Sequence, residues 1–183
     1  TLTNFTFWCP SSFQIAASLI HEAYKEKGQN CIWFDRGPFY PLGEHYDEDF
    51  SKGVNVIKSG HDAIIVSFGI MVGEAFKISA ALKKFDIDVG VIDLYRLKPL
   101  NKSLLLEAFK KTKRIVTLEE HTVSGGLGAV VCEFLSESDL LLPVKMFGIQ
   151  GIFRHEVGSR DFLRRLDGLD VQSVAEKIRS WLK

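Results

Sequence analysis

Between residues 62 and 149 the chain repeats one unit: a run that is apolar nearly throughout, then a segment of helical period. The runs are DAIIVSFG (62–69), DVGVIDLY (88–95), RIVTLEE (114–120) and LPVKMFGI (142–149). Neighbouring side chains on a strand point to opposite faces of the sheet, so a strand apolar at successive positions must bury both faces. The intervening segments GIMVGEAFKISAALKKF, SLLLEAFKKT and GLGAVVCEFL have the helical pattern needed to cover them. The pattern predicts an α/β fold: three αβα layers around a mostly parallel, five-stranded mixed sheet, with VNVIKSG as a short edge strand. DFLRRLDG and VQSVAEKIRSWLK read as closing helices.

Before this regular region the pattern changes. TLTNFTFWCP reads as the end of a strand, and SSFQIAASLIHEAYKEKG as a helix capped by Ser11 or Ser12 and stopped at Gly28. Phe13, Ala16, Ala17, Ile20, Ala23 and Tyr24 would form its apolar stripe, and CIWFD (31–35) the next strand. The stretch from Arg36 to Gly53, rich in Gly, Pro and acids, is the best linker candidate.

Composition removes several functions. Lys plus Arg equals Asp plus Glu, 23 against 23, so no global field draws nucleic acid or anionic lipid. No apolar run reaches the ~18 residues that a membrane span requires. Cys9, Cys31 and Cys132 are odd in number and far apart, which fits core thiols in a reducing cytoplasm better than a disulfide framework.

In open α/β sheets ligands gather beyond the carboxyl ends of strands. Three loops qualify: SFGIMVGEA, LYRLKPLN and LEEHTVSGGLG. In the last, Glu119, Glu120 and His121 could pair as acid and base, and the amides around Gly125, Gly126 and Gly128 could hold an anion at a helix start. Against this stands a structural or interface use, with small residues letting helix and strand end approach. Against a dinucleotide fingerprint, Val131 stands where the third glycine belongs, and adjacent Glu-Glu-His would point apart rather than converge on a metal. His21, His45, His61 and His155 each stand alone. Arg36 follows a strand directly and precedes Gly37-Pro38, where its guanidinium could meet a phosphate or close a salt bridge to the acidic linker.

Taken together, SFG (67–69), VIDLYRLKPL (91–100) and VTLEEHTVSGGLG (116–128) resemble, in order and spacing, the C-terminal domain of the transketolase family. That family includes transketolase, 1-deoxyxylulose-5-phosphate synthase and the beta subunits of 2-oxoacid dehydrogenases. The tail from Gly148 is similar to the family's ending, with Arg154 where an acid is usual near Phe153. The resemblance divides the chain into 1–37, the tail of a preceding pyrimidine-binding domain; 38–53, a linker; and 54–183, the transketolase C-terminal-like domain. In sugar-using members the arginine after the corresponding strand contacts the substrate phosphate, and this falls on Arg36; Asp35 departs from the usual Ser or Pro.

The resemblance further implies thiamine diphosphate and Mg²⁺ in the complete enzyme, held mainly by parts that this chain lacks, with none expected in the isolated chain. It implies a C-terminal part, as a fragment or a split subunit, inactive by itself. Its partners would be the missing N-terminal domains or a companion subunit and a second copy in a homodimer, without nucleic acid or membrane. His121 after the paired acids is most similar to transketolases, including two-chain ones; synthases often carry Asn there and dehydrogenase subunits Gly. The expected activity is transfer of two-carbon ketol units between sugar phosphates in the cytoplasm, with the Glu119–Gly128 loop at a domain or dimer contact. The other readings are a synthase part, a dehydrogenase beta-type subunit, and a stand-alone module that binds an anion or a protein.

Overall fold

In the computed structural model, which describes residues 3–37, 40, 41, 46 and 49–183, the apolar runs form the centre of the molecule. Strands β1 (Phe5–Trp8) and β2 (Gln29–Ile32) flank helix α1 (Phe13–Lys25). There follow β3 (Asn55–Lys58), β4 (Ala63–Ser67), α2 (Met71–Lys83), β5 (Val89–Asp93), β6 (Arg96–Lys98) and α3 (Lys102–Phe109). The chain ends with β7 (Ile115–Thr122), α4 (Leu127–Glu137), β8 (Val144–Ile149), α5 (Arg160–Asp167) and α6 (Val171–Leu182).

Among the described residues the larger sheet has five strands in the order β3-β5-β4-β7-β8. It is mostly parallel, as the sequence pattern predicts, and the edge strand β3 is the antiparallel one. Alternation sorts its side chains between two cores. Ile65, Val91, Val116 and Leu118 face α2 and α6, packing on Met71, Ala75, Ile78, Val174 and Ile178. Ile64, Val66, Ile92 and Ile115 face α3 and α4, packing on Leu105, Phe109, Leu127, Val131 and Phe134. Each of β4 and β5 is buried along its whole length, so neither could tolerate a solvent face.

A second sheet of three strands runs in the order β2-β1-β6, with β1 parallel to β2 and antiparallel to β6. This pairing ties the first residues to the middle of the chain, through Phe7 opposite Lys98 and Trp8 opposite Arg96. Trp8, Ile15, Leu19, Ala23 and Tyr95 form its core, with Tyr46 and Phe50 packed against it. The face of α1 differs from the expected one: Ile15, Leu19 and Ala23 are buried, while Phe13, Ile20 and Tyr24 are exposed. Apolar residues occupy more than one side of this helix, and a three-stranded sheet covers only one. Ser12 sits at the N-cap, but its hydroxyl makes no capping bond.

The thiols also need correction. Cys9 is buried, but Cys31 and Cys132 are only partly so, because β2 is an edge strand and Cys132 sits at the rim of α4. Most of the segment 38–53, His45 included, lies outside the described residues; within it, a 3-10 turn at Phe50–Lys52 is capped by Asp49. No helix among the described residues is long and apolar enough to cross a membrane.

Candidate functional site

The carboxyl ends of strands from both sheets open onto one cleft of about 440 Å³. Phe7 and Cys9 reach it from β1, Trp33 and Asp35 from beyond β2, and Leu97 from β6. Phe68, Glu119, Glu120, His121 and Gly126 line it from the larger sheet, and Arg160 from the start of α5. Strand β7 runs on to Thr122, so Glu119, Glu120 and His121 lie on a strand, where successive side chains diverge.

Glu119 turns toward α4. Its two carboxylate oxygens accept the amides of Leu127, at 2.7 Å, and Gly128, at 2.9 Å. These belong to the unsatisfied N–H groups at the start of α4, where the helix dipole favours a negative charge. The anion at this glycine turn is therefore the chain's own carboxylate. Burial pushes the Glu119 carboxyl above its ordinary value, and the two amides oppose that rise. Gly126 and Gly128 permit the approach: a Cβ on Gly126 would overlap Glu119 Oε2, and one on Gly128 would overlap Met146. Gly125, at φ 74°, supplies the turn and faces open space.

Glu120 points the other way, between two arginines of α5. Arg160 donates through Nε at 2.9 and 2.8 Å and through Nη2 to the same carboxylate. Arg164 donates through Nε at 3.0 Å and Nη2 at 3.3 Å. Burial pushes the Glu120 carboxyl up, but these two guanidinium groups outweigh it and hold it below its ordinary value. Arg164 itself is buried, with Glu74 3.6 Å away as a further counter-ion. Arg160 extends the chain of charges outward, from Nη2 to Asp35 Oδ1 at 2.6 Å and from Nη1 to the carbonyl of Arg36 at 3.2 Å. Ser159 caps α5, placing Arg160 and Arg164 one turn apart on the same face.

His121 is exposed and bonds locally, to the Thr122 carbonyl at 3.1 Å and the Thr122 hydroxyl at 3.3 Å. It makes no hydrogen bond with Glu119 or Glu120, so the three do not assemble as an acid–base group. Arg36 is exposed, and its guanidinium has no partner among the described residues. Of the acids with which it could close a salt bridge, Glu44, Asp47 and Glu48 lie outside the described residues; its neighbour Asp35 is paired with Arg160.

A third carboxylate was not anticipated. Asp93, at the end of β5, is fully buried. Its Oδ2 accepts from the hydroxyls of Ser11 and of Tyr46, the latter at 2.8 Å, while Oδ1 has no partner. Burial pushes the carboxyl up to about 7, against the opposing effect of the two hydroxyl bonds. Ser11, Tyr46 and Asp93 come from three separated stretches of chain, so no local motif signals their meeting.

No group of three or more His, Cys, Asp or Glu converges as a metal site among the described residues. At the start of α4 the amides of Leu127 and Gly128 are already taken by Glu119 and are not free for a bound anion.

This architecture, a five-stranded mixed sheet with its glycine turn at the end of β7, matches a known domain. Residues 52–174 fit the family model of the transketolase C-terminal domain, and the chain belongs to that family. Its curated relatives include the 1-deoxy-D-xylulose-5-phosphate synthases of Vibrio vulnificus, 26% identical over 186 residues, and Exiguobacterium sibiricum, 32% identical over 166. These alignments cover 99% and 90% of this chain but only 28% and 26% of those proteins. Among solved structures, a split-gene transketolase described as an inactive beta4 tetramer superimposes with a TM-score of 0.86 at 31% identity, covering this whole chain and 58% of that one. A transketolase from Campylobacter jejuni shares the fold, with a TM-score of 0.77 at 16% identity over 97% of this chain and 26% of that one.

Proposed function

We propose that this chain is the C-terminal part, as a fragment or a split subunit, of a thiamine-diphosphate-dependent transketolase-type enzyme that moves two-carbon ketol units between sugar phosphates. The observation that carries the reading is the likeness to the split-gene transketolase, which extends over all of this chain at 31% identity. Thiamine diphosphate, when bound, supplies the carbanion chemistry; it would be held by portions outside these residues, with which residues 1–37 would complete a pyrimidine-binding domain. On this reading 54–183 forms the C-terminal domain, 38–53 the linker, and the domain serves as scaffold and homodimer contact in the cytoplasm. Arg36, exposed beyond β2, anchors the phosphate of the sugar and so orients its reacting carbonyl. By itself the chain is inactive.

The curated relatives named as 1-deoxy-D-xylulose-5-phosphate synthases support a second reading, in which the same domain serves a synthase of 1-deoxy-D-xylulose 5-phosphate. One assay separates them. The chain, combined with the portion that carries the cofactor site, is given either xylulose 5-phosphate with ribose 5-phosphate or pyruvate with glyceraldehyde 3-phosphate. Ketol transfer without release of carbon dioxide supports the transketolase reading; carbon dioxide release with the second pair supports the synthase. Turnover by these 183 residues unaided would overturn both.

A further inference from the structure

Beyond Ile32 the chain leaves the small sheet, and after the Trp33 amide bonds to the Trp8 carbonyl at 2.8 Å the ladder is over. Farther on, Asp35 and Arg36 are both bonded by one side chain from 125 and 124 positions away. Arg160 divides its guanidinium among three acceptors: Glu120 on β7, the Asp35 carboxylate and the Arg36 carbonyl. Two of these lie in the segment that carries the Arg36 side chain. Gly37 then turns away at φ 145°, a conformation open to glycine.

The charges are arranged to the same end. Asp35 stands next to Arg36 in sequence, and an unpaired carboxylate there would repel a phosphate dianion or capture the guanidinium meant for it. Two guanidinium groups balance two carboxylates here: Arg160 pairs with Asp35 and shares Glu120 with Arg164. Among the described residues, Arg36 is left without a counter-ion at the end of β2.

Resting on the reading of Arg36 as a phosphate anchor, we infer that Arg160 is a positioning residue for substrate phosphate. It fixes the backbone from which Arg36 projects and screens Arg36 from Asp35. It touches no substrate itself. The specificity of the enzyme for phosphorylated over unphosphorylated sugars thus depends on α5, in the last part of the chain.

The test uses the complete enzyme, assayed with a phosphorylated acceptor and with its unphosphorylated counterpart. Arg36→Ala is expected to raise KM for the phosphorylated acceptor ~10-fold or more, the loss of one charge-assisted contact, and to leave the other unchanged. Arg160→Ala should reproduce that selective rise with Arg36 intact, accompanied by faster amide exchange across residues 33–37. Asp35→Asn added to Arg160→Ala should recover most of the loss, because the offending carboxylate has gone; a merely structural arginine would not be rescued this way. If Arg160→Ala does not fold, Arg160→Lys keeps the charge while losing the fork and should show a smaller rise in the same KM. An unchanged KM in Arg36→Ala overturns the anchor and this inference with it. A rise in Arg36→Ala with none in the Arg160 variants, or one that Asp35→Asn fails to relieve, overturns the inference alone.

Discussion

Strands β5 and β7 are neighbours of β4 in one sheet, and each carries, toward its carboxyl end, a carboxylate that binds a distant segment. Glu120, at the end of β7, is met by two guanidinium groups; Asp93, at the end of β5, is met by two hydroxyls. The environments push the two groups in opposite directions, Glu120 below its ordinary value and Asp93 up to about 7. Hydroxyls donate hydrogen bonds but bring no charge, so they cannot offset what burial takes from a carboxylate. Both residues tie distant segments together, yet only one does so with a charge that folding favours.

Three substitutions would sharpen or break this contrast. Glu120→Ala leaves the buried Arg164 without its nearest counter-ion and should cost about 4 kcal/mol in denaturant unfolding, as removal of one partner from a buried ion pair does. A loss near the ~1 kcal/mol of an exposed pair would show that the cluster is held as a surface network instead. Asp93 is read through pH. Its folded value of about 7 lies above the ordinary 3.8, so the fold favours the protonated form. Below both values it contributes no difference. As pH rises between them the unfolded chain releases its proton first, and stability falls until the folded carboxyl also ionises. Unfolding at about pH 5 and about pH 8 should differ by roughly 3 kcal/mol from this group, a slope that Asp93→Asn removes. An unaltered slope in the Asn variant would place Asp93 with Glu120 and end the contrast. Smaller still is Gly126→Ala, which forces a Cβ onto the Glu119 carboxylate where backbone amides hold it. A loss of about 2 kcal/mol is expected from the overlap, and a thermal melt like that of the parent would mean that the α4 cap can yield.

The alternation of apolar runs and helices was enough to read the mostly parallel five-stranded sheet, its layers and its edge strand, because burial on both faces leaves strong marks in sequence; that the edge runs antiparallel was not read. The three-stranded sheet was not legible. Arg96, Leu97 and Lys98 form a short strand with mixed polarity, and their partner lies some ninety residues away. The stripe on α1 failed for a related reason: two apolar faces compete, and the covering strands alone decide between them. At the site, the paired acids and the glycine turn stood out, and their divergence followed from the strand period. Arg160 and Arg164 did not stand out, although a capping serine followed by arginines four apart marks one basic helix face. Nothing local could link that face to Asp35 or Glu120, since the contacts span 125 and 40 positions.

The pairing of β1 with β6 has a mechanical corollary. Apart from the backbone between β2 and β3, residues 3–37 are clasped by the β6 ladder on one side and by the grip of α5 on Asp35 and Arg36 on the other. Contacts at two separate points thus join the two pieces besides the backbone, and the molecule is wired like a buckle rather than a hinge.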